Sequence, residues 1–433
     1  MSGMKLVVIG AGSVYTPEIF HELILRKSRL YFKEIALVDI PQGEREAELV
    51  LGLAQRMFRK YGYETNIYLT MDRRAALENA DFVISQIRVG RLEAREKDER
   101  LGMELGLIGQ ETTGVGGFVN ALRTIPVALE IARDMEQICP KAWLVNFTNP
   151  SGIITEAVQK HSGVRCVGLC NVPINMVSDV AGVLGLKRSE VWCRFIGLNH
   201  LSFITSVRAQ GSDRLAEVIN RLGENTTLMK NIPKVSGVGE LAKALGAIPS
   251  PYLQYYYFEE QMRRKQEEEW EKHRVSRAVQ VRQINETIFS LYKNVNVFDV
   301  PEELSRRGGS LYSFAALDII EALTGTKPKE LVVNTQNLGA VKGLAQDDVI
   351  ETNCQVDASG VKPVSYGRLP EKVAGLVQSV KQYERLTVRA VVERSRDLAM
   401  CALLNHPLVH GFENAKLVVD RAREWFPNVI KLE

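Results

Sequence analysis

Near its start the chain reads Leu6-Val7-Val8-Ile9-Gly10-Ala11-Gly12-Ser13, an apolar run that stops at two glycines. Four consecutive apolar residues closed by a turn signal read as a buried strand. Thr16-Pro17-Glu18 then reads as a helix start, with Thr16 as its cap and Pro17 at the first helical position. Strand, glycine turn and helix in this order give a G-x-G pair its physical meaning. The glycines allow a tight turn and close approach of the backbone to a pyrophosphate. The helix N-terminus adds unpaired N–H groups and the positive end of a dipole. Gly10, Gly12 and Ser13 are therefore candidate dinucleotide contacts. Tyr15 stands where a third glycine is usual, so helix–strand packing must differ from the common fingerprint. Asp39 ends the next expected strand and suits a ribose diol; no arginine follows it directly, which favours NAD over NADP.

The pattern continues for about 170 residues. Strands are expected at Leu6–Ile9, Glu34–Asp39, Asn66–Leu69, Phe82–Gln86, Trp143–Val145 and Val164–Leu169. Helices are expected at 44–60, with Leu49, Leu53 and Met57 on one face, and at 118–137 and 152–161. Strand–helix alternation predicts a doubly wound, Rossmann-type parallel sheet. After Cys170 the pattern changes. Trp192–Gly197 and Ser202–Ala209 read as a hairpin around Asn199-His200, followed by long helices near 268–293, 310–323 and 371–395. Glu259–Arg274 carries dense charge of both signs and reads as a solvated face. The expected organisation is a dinucleotide domain at 1–170 and an α+β domain for substrate, metal and oligomer contacts at 171–433.

Composition narrows the function classes. With 433 residues and 45% hydrophobic content the chain can bury a large core. A formal net charge of +3, with no basic tail or stripe, argues against a nucleic-acid partner. No stretch approaches the roughly 18 continuous apolar residues of a membrane span. The short N-terminal apolar run ending in a glycine turn is unlike a signal peptide. Six scattered cysteines form no paired framework, so a reduced, cytoplasmic setting is expected. Cys139, Cys166, Cys193, Cys354 and Cys401 sit among apolar residues as core fillers.

Two residues stand in a different setting. Cys170, in Leu169-Cys170-Asn171-Val172-Pro173, ends a strand at the carboxyl edge of the sheet, where open α/β sheets place ligands. His200 lies in Gly197-Leu198-Asn199-His200. Thiolate and imidazole together can hold one divalent ion and leave positions open for a substrate. A buried structural thiol and a core histidine remain the alternative reading. Softness of the thiolate would favour zinc or iron.

The chain resembles glycoside hydrolase family 4, the NAD- and metal-dependent phospho-glycosidases. The resemblance rests on Gly10-Ala11-Gly12-Ser13-Val14-Tyr15-Thr16-Pro17, Ile87-Arg88-Val89-Gly90, Gly109-Gln110-Glu111-Thr112 and Thr148-Asn149-Pro150. Cys170-Asn171-Val172-Pro173, Gly197-Leu198-Asn199-His200, Pro251-Tyr252-Leu253-Gln254-Tyr255-Tyr256 and Ser276-Arg277-Ala278 complete it. This family departs from the two-carboxylate rule of most glycosidases. The resemblance implies NAD and Mn²⁺ as cofactors, with Val14 and Val89 beside the dinucleotide and Cys170 and His200 on the metal. It implies Tyr252 as the base and Glu111 as the carboxylate that tunes it. Arg95 and Arg277 are implied as clamps for a sugar 6-phosphate, with Asn149 and Asn171 as substrate contacts. A guanidinium fork suits that phosphate. The implied reaction is oxidation at C3, removal of the C2 proton, elimination and addition of water. Asn171 stands where α-specific members carry an aspartate acid, which points to 6-phospho-β-glucosidase and leaves the general acid unassigned. The expected partner is a phosphorylated disaccharide or aryl glycoside phosphate, and the expected state a homo-oligomer, dimer or tetramer. The runner-up readings are a 6-phospho-α-glucosidase or other family 4 glycosidase or, outside the family, a 2-hydroxy-acid dehydrogenase. The latter needs a catalytic His–Asp pair.

Overall fold

Met4–Ile9, the strand that feeds the glycine turn, lies inside a nine-stranded sheet. The computed structural model describes residues 3–222, 235–273, 276–306 and 311–433. Six strands run parallel in the order Arg165–Gly168, Trp143–Asn146, Phe82–Ser85, Met4–Ile9, Phe32–Val38 and Asn66–Thr70. All six expected strands are present, each within about two residues of its expected place. The order reverses at Met4–Ile9, so the glycine turn opens at a topological switch point.

The sheet is mixed rather than wholly parallel. Lys329–Gln336, Val349–Asp357 and Gly360–Pro363 extend it antiparallel beyond Arg165–Gly168. One apolar cluster accordingly joins Leu6, Val8 and Val167 to Leu317, Ile320, Val333 and Cys354. Alternation in 329–363 is blurred because these strands are covered on much of both faces, which removes the period-two signal.

Helix Gly114–Ile138 is long and apolar enough to cross a membrane, yet 83% of its apolar window is buried inside the protein. It is the central core helix, packed with Ile153, Ile154 and Tyr383 in the largest apolar cluster. The helix expected at 268–293 is broken: Glu259–His273 ends, and Arg277–Lys293 begins anew behind Ser276, whose hydroxyl accepts from Val279 N–H at 3.4 Å. Residues 274, 275 and 310 of the expected helices lie outside the described residues. Thr16 is not a cap but the first helical residue; its hydroxyl donates to Ala11 O at 2.8 Å and accepts from Gln86 at 2.6 Å. That bond ties helix to turn where a third glycine would allow direct contact. Of the expected filler cysteines, Cys401 is exposed and the other four are buried.

The hairpin forms as expected. Val191–Leu198 and Leu201–Ala209 pair antiparallel, with Leu198 opposite Leu201 and only Asn199-His200 in the turn. It is anchored to the large sheet: Asn353 Oδ1 accepts from Phe195 N–H at 2.7 Å, and Thr352 Oγ1 donates to Phe195 O at 2.9 Å. His200 is thereby held against the carboxyl edge of the sheet.

Candidate active site

A cleft of about 1350 Å³ opens along that carboxyl edge. Gly10, Gly12, Ser13, Val14, Asp39 and Val89 line one part of it. Gly10 has φ +85°, and a Cβ on Gly12 would lie 3.0 Å from Asp39 Oδ2 and 3.1 Å from Gly43 O. Backbone here approaches what lies above it as only glycine allows. Asp39 accepts from Gly12 N–H at 2.6 Å and from Ile40 N–H at 2.8 Å, which fixes its carboxylate at the cleft. Val89 is held by Arg123, whose Nε donates to Val89 O at 3.0 Å. Arg123 is itself locked in a fully buried bidentate pair with Asp98. The cleft floor thus suits a dinucleotide.

Tyr252 enters the same cleft from the short 3₁₀ turn Pro251–Leu253. Its ring stacks on His200, centroids 3.8 Å apart and planes 3° from parallel. His200 has φ +62°, uncommon for a residue with a Cβ, and such strain is kept where the surroundings impose it. Burial holds its imidazole at about 3, so it is neutral. Thr112 lies 3.1 Å from His200 Nδ1 and gives its one hydroxyl hydrogen to Gln110 Oε1 at 2.9 Å. Thr112 must then accept, which places the ring hydrogen on Nδ1 and leaves the Nε2 lone pair for a metal.

Cys170 is buried beside Asn171, Val172 N–H (3.5 Å) and the Tyr312 hydroxyl (3.9 Å). Burial pushes its thiol up to about 12, so a thiolate there needs a cation to stabilise it. Burial, followed by the charges of Cys170, Tyr255 and Glu111, also holds the Tyr252 phenol well above its ordinary value, against the opposing charge of Arg95. Among the described residues no three metal-binding side chains cluster. Cys170 and His200 could supply two protein donors, with coordination positions left for other oxygens.

The charged residues divide into two kinds. Glu111 is gripped by Arg88 on one oxygen and by Arg95 at 3.0 Å on the other. Arg95 also pairs with Glu99 at 2.7 Å and is buried, so two of its nitrogens are already committed. Arg277 lies in the same cleft with no carboxylate in ion-pair distance among the described residues; its Nη1 donates to Gln280 at 3.2 Å. Of the two arginines, Arg277 has the more donors for an anion. Asn149 and Asn171 both line the cleft, and Asn149 Oδ1 is buried with no partner among the described residues.

Sequence reasoning assigned no role to Arg88, Thr112, Arg123 or Tyr312. Arg88 and Thr112 fall inside quoted motifs, which is the one signal that could have raised them. Tyr312 reaches Cys170 across 142 positions with no local signal at all. No histidine lines the cleft in a pair with aspartate among the described residues; His161 is exposed at a helix end. A His–Asp dehydrogenase centre is therefore not what these residues build.

The family 4 glycosyl hydrolase profile matches residues 5–186, and the profile of that family's C-terminal domain matches 195–409. A probable 6-phospho-beta-glucosidase of Bacillus subtilis is 43% identical over 425 residues, 98% of this chain and 96% of the relative. The 6-phospho-beta-glucosidase of Thermotoga maritima, solved with manganese, NAD⁺ and glucose-6-phosphate, superposes with a TM-score of 0.90 at 35% identity, covering 99% of this chain and 100% of that one. A lactate dehydrogenase from a deep-sea metagenome shares only the fold, at a TM-score of 0.56 and 14% identity over 90% of this chain and 100% of its own. The chain belongs to the family 4 glycosyl hydrolases.

Proposed function

We propose that this protein is a 6-phospho-β-glucosidase that hydrolyses β-glycosides of glucose 6-phosphate with bound NAD and Mn²⁺. The observation that carries the reading is Tyr252, stacked on His200 in the cleft that also holds the glycine turn. When bound, the dinucleotide supplies a reversible hydride acceptor for sugar C3, and the divalent ion supplies Lewis-acid polarisation of the neighbouring sugar oxygens. Cys170 and His200 would hold that ion; Gly10, Gly12, Ser13, Val14, Asp39 and Val89 would hold the dinucleotide.

Tyr252 removes the proton from C2, made acidic by its neighbouring ketone. A phenol is a poor base near neutral pH unless positive charge lowers its pKa. Arg95 supplies part of that charge, while Glu111 supplies an opposing one that keeps the tyrosinate basic. Arg277 binds the sugar phosphate, and Asn149 accepts from a sugar hydroxyl. Asn171 donates hydrogen bonds but cannot release a proton as an acid, which fits a substrate contact. Residues 1–170 carry the dinucleotide, and 171–433 carry the metal ligands, the base and the subunit contacts of a homo-oligomer. Exposed Phe412, Leu417 and Leu404 offer surface for those contacts. Six free cysteines fit a cytoplasmic setting.

The test is a panel of 4-nitrophenyl glycosides, α and β, with and without a 6-phosphate, assayed with NAD⁺ and Mn²⁺ under reducing conditions. Turnover is expected for the β-glucoside 6-phosphate without accumulation of NADH. In D₂O the released sugar should carry deuterium at C2. Product without that label, or full rates in dinucleotide-free enzyme, would rule the scheme out.

A further inference from the structure

Glu351 lies in Val349–Asp357, is only 1% exposed, and belongs to none of the groups described above. Its carboxylate accepts from the Ser202 hydroxyl at 2.8 Å and from Asn199 Nδ2 at 3.2 Å. Those residues flank His200 in the hairpin. A third donor, Asn334 Nδ2 at 3.4 Å, comes from the strand that pairs with Gly168, two residues before Cys170. One carboxylate therefore ties the turn that carries the histidine to the strand lying beside the one that leads to Cys170.

All three donors are neutral. Among the described residues no lysine or arginine is within ion-pair distance of Glu351. Glu156, equally buried, is met by Lys381 at 2.6 Å, which shows how this protein otherwise compensates a buried carboxylate. A buried carboxylate without a counter-ion is costly, and burial pushes Glu351 up to about 7. Its charge is felt at Cys170. One thiolate and one neutral imidazole would leave a divalent ion with a net positive charge in a low-dielectric site. A second anion just outside the ligand set cancels that charge.

We propose that Glu351 is a positioning residue for the cation: it fixes the Asn199-His200 turn against the strand beside the one that leads to Cys170 and supplies the balancing negative charge. This rests on the reading of Cys170 and His200 as the ligands, and the variants are chosen to separate the two. Mn²⁺ alone is titrated into the full chain by calorimetry, with NAD⁺ affinity measured in parallel. Glu351→Gln keeps the shape but removes the charge and sets amide against amide at Asn199. Its Mn²⁺ affinity should fall about tenfold or more, the scale seen for outer-shell partners of metal ligands, while NAD⁺ affinity stays within twofold. A mere packing role would move both or neither. Should Glu351→Gln fail to fold, Ser202→Ala acts on the cation only through the same carboxylate and should cost threefold or more. Wild-type Mn²⁺ affinity in whichever of these variants folds overturns the proposal. Cys170→Ser distinguishes the premise: if it also binds Mn²⁺ like wild type, the ligand reading itself is wrong and the proposal falls with it.

Discussion

The glycine turn and Tyr252, which stacks on His200, line one cleft but are built in opposite ways. The turn is local. Residues 4–25 contain its strand, its glycines and its helix, and its shape is a matter of backbone dihedrals. The stack is assembled from a distance: Tyr252 from a 3₁₀ turn, His200 from a hairpin, Thr112 from a loop and Cys170 from a strand end. Its shape is a matter of packing and of hydrogen bonds between segments. Damage to the first should stay with the dinucleotide. Damage to the second should stay with the cation and the proton.

The largest break in that division comes at Tyr252. Tyr252→Phe keeps the ring stack and removes the hydroxyl, so kcat should fall about 10²–10⁴-fold, or roughly 3–5 kcal/mol. NAD⁺ affinity, followed by fluorescence titration, should not change; a kcat within tenfold of wild type would reject the tyrosine as base. Next is Thr112→Val, of similar shape. It loses the acceptor that keeps the His200 hydrogen on Nδ1, and Mn²⁺ affinity should drop about 10–100-fold. Calorimetry that shows no drop would mean the tautomer is set in another way.

Gly12→Ala tests the other side. The added Cβ meets Asp39 and the Gly43 carbonyl, and NAD⁺ affinity should fall about tenfold, near 1.4 kcal/mol. Mn²⁺ affinity should hold; loss of both would show that the two regions are one unit.

The smallest effect concerns Glu18, in the helix behind the glycine turn. Burial raises its carboxyl to about 7. The folded state therefore favours the protonated form, and stability is lost as pH climbs from the unfolded value, near 4.3, to about 7. Glu18→Gln removes that slope. After allowance for partial exposure, its Tm should exceed wild type by about 1–2 °C at pH 8 and by nothing at pH 4. Equal melting at both values would refute the buried-charge account.

The same division governs what could be read in advance. The six parallel strands of the large sheet, the helix behind Pro17 and the two-residue hairpin follow from periodicity and turn residues. The antiparallel strands at 329–363 do not, because burial on both faces hides their alternation. Thr16 looked like a cap, since hydroxyls before a helix usually are; only the position of Ala11 O and Gln86 shows it bonded backwards. The resemblance implies Arg95 as a phosphate clamp; its i,i+4 spacing to Glu99 could be read in the sequence, whereas Glu111, sixteen positions away, is brought onto it only by the fold.

The chain alone determined the strand, glycine turn and helix that open the parallel sheet, because a glycine turn and the helix after it are short-range consequences of backbone sterics. It also marked Cys170, His200 and Tyr252 as members of one motif set. Only the tertiary structure decided that the tyrosine lies on the histidine, that a threonine chooses its tautomer and that Glu351, bonded to three neutral donors, has no counter-ion among the described residues. Those relations join residues far apart in sequence through burial and directional hydrogen bonds, and linear order carries no record of which buried charge will lack a counter-ion.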